Sequence, residues 1–179
     1  NGPDAHANEE LNQIVQGKHY GFPYTFANWT KKAYRHTPDA PAGQQFELPI
    51  ANLGPDGGYE GKPAYTFHPH SCPGGIVFLG PDFPEGWRGT YLLTRFGNFI
   101  KEPKDNVGVD LLQAKLRKND QGRYEANIYT VLAPLGRPID VHLAGEGKIY
   151  ICEYTRPTNT QLPFALPGRI LELAVQKAQ

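Results

Sequence analysis

This sequence predicts an all-β fold, and three observations point there. The 179 residues include 20 glycines and 17 prolines, residues that punctuate a chain into short elements. Aromatic residues make up 12%, with ten Tyr and nine Phe, and aromatics suit pleated, half-buried surfaces. The apolar runs are short, alternate in places and end at turn residues, which is a strand pattern. High Gly and Pro also suit disorder, but the aromatic and β-branched runs oppose it.

The elements follow in order. Residues 9–15, Glu9-Glu10-Leu11-Asn12-Gln13-Ile14-Val15, alternate weakly, with Leu11 and Val15 on one side. Seven residues suit helix or strand; we read a short strand, stopped by Gly17. Tyr20-Gly21-Phe22-Pro23 makes the next turn. Residues 31–63 are polar and loop-like. Within them Phe46-Glu47-Leu48-Pro49-Ile50 alternates, and Pro49 confines that run to a sheet edge. Clear strands are Gly75–Leu79 and Thr90–Phe96. Val109–Leu116 and Tyr124–Val131 form a hairpin through Asn119-Asp120-Gln121-Gly122. Ile139–Leu143 and Lys148–Cys152 form another, and Gly168–Val175 is the last strand.

A loose repeat runs through this pattern. Pro73-Gly74-Gly75-Ile76-Val77 and Arg137-Pro138-Ile139-Asp140-Val141 each lead a strand. Each is followed by a loop, a glycine (Gly89, Gly147) and an apolar strand. A period of roughly 60 residues suits propeller blades of four antiparallel strands. A β-sandwich gives similar alternation, and the pattern leaves both open.

Composition excludes several functions. Eighteen basic and 18 acidic residues give a formal net charge of zero, so a generic electrostatic nucleic-acid binder is not expected. No apolar run reaches about 18 residues, so no membrane span is expected. The chain has no Met and opens on the turn-like Asn1-Gly2-Pro3-Asp4, so we expect one piece of a longer or processed protein. Cys72 and Cys152 suit either one disulfide or two buried thiols. There is no C-x-x-C, so zinc-ribbon and thioredoxin-like readings have no support.

Three stretches carry a resemblance. The first is Gly2-Pro3, then Glu9-Glu10-Leu11-Asn12-Gln13-Ile14, Gly17 and Tyr20-Gly21-Phe22-Pro23. The second is His70-Ser71-Cys72-Pro73-Gly74-Gly75-Ile76 with Phe83-Pro84 and Trp87-Arg88-Gly89-Thr90. The third is Gly136-Arg137-Pro138-Ile139-Asp140-Val141, Gly147-Lys148-Ile149-Tyr150 and Gly168-Arg169-Ile170. In order and spacing they resemble the soluble pyrroloquinoline-quinone (PQQ)-dependent sugar dehydrogenases, the glucose/sorbosone dehydrogenase family of quinoproteins. The resemblance spans nearly the whole chain, apart from a polar insert near residues 31–63.

It implies a partial six-bladed β-propeller over residues 1–179, about three four-stranded antiparallel blades forming the C-terminal half. It implies two cofactors, PQQ and calcium. Glu10 and the Tyr20 carbonyl, beside Glu9, would hold a structural calcium through oxygen ligands. The Gly2 and Pro3 carbonyls would face a second calcium that bridges to the quinone. Arg137 aligns with an arginine that contacts the quinone, whose carboxylates suit a guanidinium fork. Its usual partner arginine is Ile139 here. Arg95 stands near the family's cofactor lysine, which is absent. His70 would line the central channel. A His68/His70 pair on one face is the metal-binding alternative. The catalytic base is a histidine of the early blades, with no counterpart here.

The implied function is part of a sugar dehydrogenase that passes hydride from a sugar hydroxyl to PQQ, inactive alone, periplasmic or extracellular. Its partners would be a small-molecule sugar and the missing N-terminal propeller half or a complementary chain. A non-catalytic binding or interaction module is the alternative. Asn28-Trp29-Thr30 is a glycosylation sequon, of consequence only in a secreted eukaryotic protein. A half-propeller would leave apolar blade faces open, on segments such as Ile76–Leu79, Tyr91–Leu93 and Ile149–Ile151.

Overall fold

The computed structural model describes residues 8–25, 37–54, 67–98, 107–145, 147–155 and 167–175. These residues hold strands and no helix, so none is long and apolar enough to cross a membrane. The chain divides into two compact units, Asn1–His70 with Arg117–Asn127, and Ser71–Leu116 with Ile128–Gln179.

In the first unit most backbone bonds are single contacts rather than ladders. The expected strand at residues 9–15 is instead one antiparallel bridge, Glu9 with Phe67. Leu11 O accepts from the Ile50 N–H at 2.8 Å, and His19 O accepts from the Glu47 N–H at 2.8 Å. Phe46–Ile50 is likewise not a strand. Pro49 has no N–H to give a ladder, and regular pairing starts only at β1 (Ala51–Asn52), parallel to Glu125–Ala126.

The second unit is built from antiparallel meanders. β2 (Pro73–Leu79), β3 (Thr90–Arg95), β4 (Asp110–Lys118) and β5 (Tyr124–Leu132) lie side by side in chain order. The predicted β4–β5 hairpin is present, and its tip, Arg117–Asn127, belongs to the first unit. Asn119 closes it, donating its N–H to Arg123 O at 2.9 Å. β6 (Pro138–Leu143), β7 (Lys148–Glu153) and β8 (Arg169–Ala174) form a three-stranded sheet. The described residues thus hold two sheets, where the resemblance implied three four-stranded blades.

Period-two alternation sorts the side chains. Leu79, Leu92 and Leu111 point from the first sheet, and Val141, Ile149 and Ile151 from the second, into one core with Phe83 and Leu135. Fully burying each such side chain is worth about 1.5–3 kcal/mol. The opposite faces carry the exposed apolar residues: Ile76 and Phe78 on β2, Ile139 on β6, Ile170 on β8. Ile76 and Phe78 fall within one of the segments expected to be open, whereas Leu79, Leu92, Leu93, Ile149 and Ile151 of those segments are buried. β3 is covered on both faces, so the adjacent Leu92 and Leu93 are both enclosed.

β2 and β6 approach backbone to backbone. A Cβ on Gly75 would strike Asp140 Oδ1 and lie 2.7 Å from Val141 N, and one on Gly74 would lie 2.7 Å from Ile139 O. The Gly74-Gly75 pair is what allows two sheets to meet so closely.

Candidate functional site

The two sheets repeat each other at one end, and that end gathers most of the buried charge of the second unit. Each inner strand begins after a left-handed residue followed by proline. These are Cys72 (φ 56°) before Pro73 and Arg137 (φ 54°) before Pro138. Each such residue accepts a backbone bond from just beyond the next strand. The Phe96 N–H donates to Cys72 O at 2.9 Å, and the Tyr154 N–H to Arg137 O at 3.0 Å. One residue further out, the Gly97 N–H donates to Ser71 O at 2.8 Å and the Thr155 N–H to Gly136 O at 2.9 Å. The Phe96 and Tyr154 rings meet with centroids 5.9 Å apart.

The repeat places Arg95 and Glu153 at equivalent positions, the last residues of β3 and β7. Each is buried and paired with the first residue of the following strand. Arg95 donates through Nε (2.9 Å) and Nη2 (2.6 Å) to Asp110. Arg169 donates through Nε to Glu153 Oε2 at 2.5 Å, and Glu153 Oε1 accepts from the Gly136 N–H. The two sheets therefore carry the same ion pair with the charges exchanged. Sequence reading missed this equivalence. Its trace was a basic–acidic pair and an acidic–basic pair at separations of 15 and 16 residues.

Arg137 sits between the repeats. It is only 4% exposed, and its guanidinium lies 5.3 Å from the Phe96 ring centroid. Nη1 donates to Asn98 O at 3.1 Å and reaches Phe96 O at 3.5 Å. Burial lowers its pKa from the ordinary arginine value, since desolvation disfavours the charged form. Arg95 and Arg137, the two expected anion clamps, are thus brought to one end of this unit. Ser71 Oγ, Thr94 Oγ1 and Thr155 Oγ1 are buried at the same end with no hydrogen-bond partner.

The expected calcium residues lie in the first unit. The Glu10 carboxylate accepts from Asn12 Nδ2 at 2.9 Å. Burial raises the Glu10 pKa, the Asn12 hydrogen bond opposes this, and the neighbouring Glu9 charge adds to it. Glu9 is fixed by its backbone bridge to Phe67. The Tyr20 hydroxyl accepts from the Val15 N–H at 2.6 Å and donates to Gln13 O at 2.7 Å. Asn8 Oδ1 and Asn12 Oδ1 are buried acceptors with no hydrogen-bond partner. Gly2 and Pro3, and the sequon at Asn28, lie outside the described residues.

Among the described residues, no group of three or more His, Cys, Asp or Glu side chains could hold a metal. His68 turns its Nδ1 to Pro69 O at 2.8 Å, and His70 is left-handed at φ 60°. Cys72 and Cys152 form no disulfide. A shallow apolar groove of about 350 Å³ lies on the outer face of the second sheet, between Asp140, His142, Tyr150, Cys152 and Ile170.

No protein-family model matches this chain, and no curated protein matches it. Among solved structures it resembles a Thermus thermophilus protein provisionally designated oxidoreductase (glucose dehydrogenase). The TM-score is 0.50 at 20% identity, over 93% of this chain and 36% of that one. At that identity the likeness is one of fold. The chain spans about a third of the length of that protein.

Proposed function

We propose that this chain is one part of a sugar-oxidising oxidoreductase of the PQQ-dependent dehydrogenase type. The two sheets of its second unit are then consecutive blades of an incomplete propeller. The observation that carries this reading is the fold likeness, over 93% of the chain, to a protein designated glucose dehydrogenase. The blade-like repeat, with equivalent backbone bonds at Cys72 and Arg137, supports it.

Calcium is the structural cofactor of this reading, with the Glu10 carboxylate as its candidate oxygen ligand; the Asn12 amide presents Nδ2, not Oδ1, to that carboxylate. Bound there, the cation would brace the segment around residues 8–12 and relieve the repulsion between Glu9 and Glu10. A tricarboxylate quinone does not fit Arg95, whose chelating edge is filled by Asp110. Arg137 spends Nη1 on backbone carbonyls. We therefore assign no hydride-transfer step to this chain. Base, quinone and sugar site would belong largely to the N-terminal propeller half or to a complementary chain, in a periplasmic or extracellular setting.

A second reading follows from the same Arg95–Asp110 pair. Buried charge spent on structure suits a binding module without redox chemistry. An assay of the isolated chain with PQQ, calcium and an aldose should show no turnover above background, and turnover would overturn the division of labour. Calorimetric titration with calcium should show binding that Glu10→Gln weakens. Absence of both heat and thermal stabilisation would remove the calcium brace. Aldose binding by a chain that binds no quinone in any complex would favour the binding module.

A further inference from the structure

The two sheets of the second unit share one register. Pro73 faces Arg95 and Pro138 faces Glu153. Each pairing then slips by one residue before Ile76 faces Leu93 and Val141 faces Ile151. Carried on through β4 and β8, the match equates Val77, Leu92 and Leu111 with His142, Tyr150 and Ile170. The first trio packs the first sheet onto the second. The second trio lines the shallow groove of about 350 Å³ on the outer face of the second sheet. That groove is therefore the second sheet's counterpart of the face with which the first sheet packs.

The other side of the same contact also recurs. Val141, Leu143 and Ile149 form the second sheet's part of it, and the match equates them with Ile76, Phe78 and Tyr91 of the first sheet. Ile76 is 47% exposed and Phe78 50%, while Leu93 beside them is buried. The Tyr91 ring, half-buried, lies 5.0 Å from that of Phe78. One sheet-to-sheet contact is thus made inside the chain, and both of its halves recur on the chain's outer faces. Their sizes correspond. Ile139 and Asp140 stand where Gly74 and Gly75 let β2 reach β6, so a partner sits further from the second sheet. Phe78 and Tyr91 are larger than Leu143 and Ile149 and fill that wider gap. His142, Tyr150 and the Cys152 sulfur are favourable neighbours for aromatic rings.

We propose that the groove on the second sheet is an interface for a second copy of this chain, which seats its Ile76, Phe78 and Tyr91 there. The contact is heterologous, with the groove of one copy meeting the aromatic patch of the next. It repeats outside the chain a packing that the fold already makes within it. Each pair of copies leaves one groove and one patch unused, so association runs past the dimer, to a ring where the rotation closes and to a filament where it does not. This inference rests on the internal repeat and not on the oxidoreductase reading.

Sedimentation velocity of the full chain at rising concentration should show species larger than the monomer. Phe78→Ser removes the patch, and Ile170→Ser removes a wall of the groove. Each alone should weaken association about tenfold or more. Both side chains are exposed, so the circular dichroism spectrum should not change. Should Phe78→Ser fail to fold, Ile76→Ser disables the same patch. The two variants mixed should associate again and stop at a one-to-one complex, because one intact groove then meets one intact patch. That rescue separates this contact from any interface in which both copies use the same surface. A parent chain that stays monomeric at every concentration would overturn the proposal. So would undiminished association of both variants, or a mixture that associates no better than either variant alone.

Discussion

Arg95 and Asp110 stand directly opposite each other across β3 and β4, and the guanidinium chelates the carboxylate at 2.9 and 2.6 Å. In the second sheet Glu153 and Arg169 take the same two places with the charges exchanged. Removing one partner of a buried pair strands the other charge. Asp110→Ala should therefore cost about 3–5 kcal/mol, read from urea unfolding. The exchange Arg95→Glu with Asp110→Arg should recover much of that loss, because the second sheet already tolerates this polarity. A swapped chain no more stable than Asp110→Ala would show that the two sheets are not equivalent there.

The approach of β2 to β6 depends on the absence of a side chain. Gly75→Ala pushes a methyl into Asp140 and the Val141 backbone. It should destabilise by about 1–3 kcal/mol, as overpacking does. Gly80 has nothing within 4 Å of its would-be Cβ. Gly80→Ala should stay within about 0.5 kcal/mol of the parent. Thermal melts of the two variants side by side would check this.

Neighbouring residues on facing strands should behave oppositely. Ile151 is fully buried in the core between the sheets, whereas Ile170 on β8 is 71% exposed. Ile151→Ala should cost about 2–5 kcal/mol, since it opens a cavity. Ile170→Ser should change monomer stability by about 0.5 kcal/mol or less. Equal losses at both sites would mean that the outer face of this sheet is already covered in the isolated chain.

Tyr150 donates its hydroxyl to Glu172 at 2.8 Å, and that carboxylate raises the phenol pKa above its ordinary value of 10.0. The folded state then holds the proton more tightly than the unfolded chain does. The contribution is fully present below the unfolded pKa and is lost as pH rises through the folded one. The alkaline absorbance titration, taken as the parent minus Tyr150→Phe, should show Tyr150 ionising late. Glu172→Gln should bring it back toward the ordinary value. An unmoved titration would mean that the hydrogen bond does not form in solution.

Local sequence was enough to specify the strands of the second unit. Alternating runs such as Thr90-Tyr91-Leu92-Leu93 and Ile149-Tyr150-Ile151, closed by Gly89, Gly122 and Gly147, state strand and turn locally. Proline leading a strand at Pro73 and Pro138 also exposed the repeat. In the first unit the same reasoning failed, because Glu9–Val15 has too little alternation to set a ladder and Pro49 interrupts Phe46–Ile50. Which apolar residues meet was set by the packing of the folded chain. So were the pairing of Arg95 with Asp110 and the seat of Arg137 on Phe96 and Asn98. Strand identity is written in neighbours along the chain. Ion pairs depend on the register between strands and on the packing of sheets, which join residues distant in sequence.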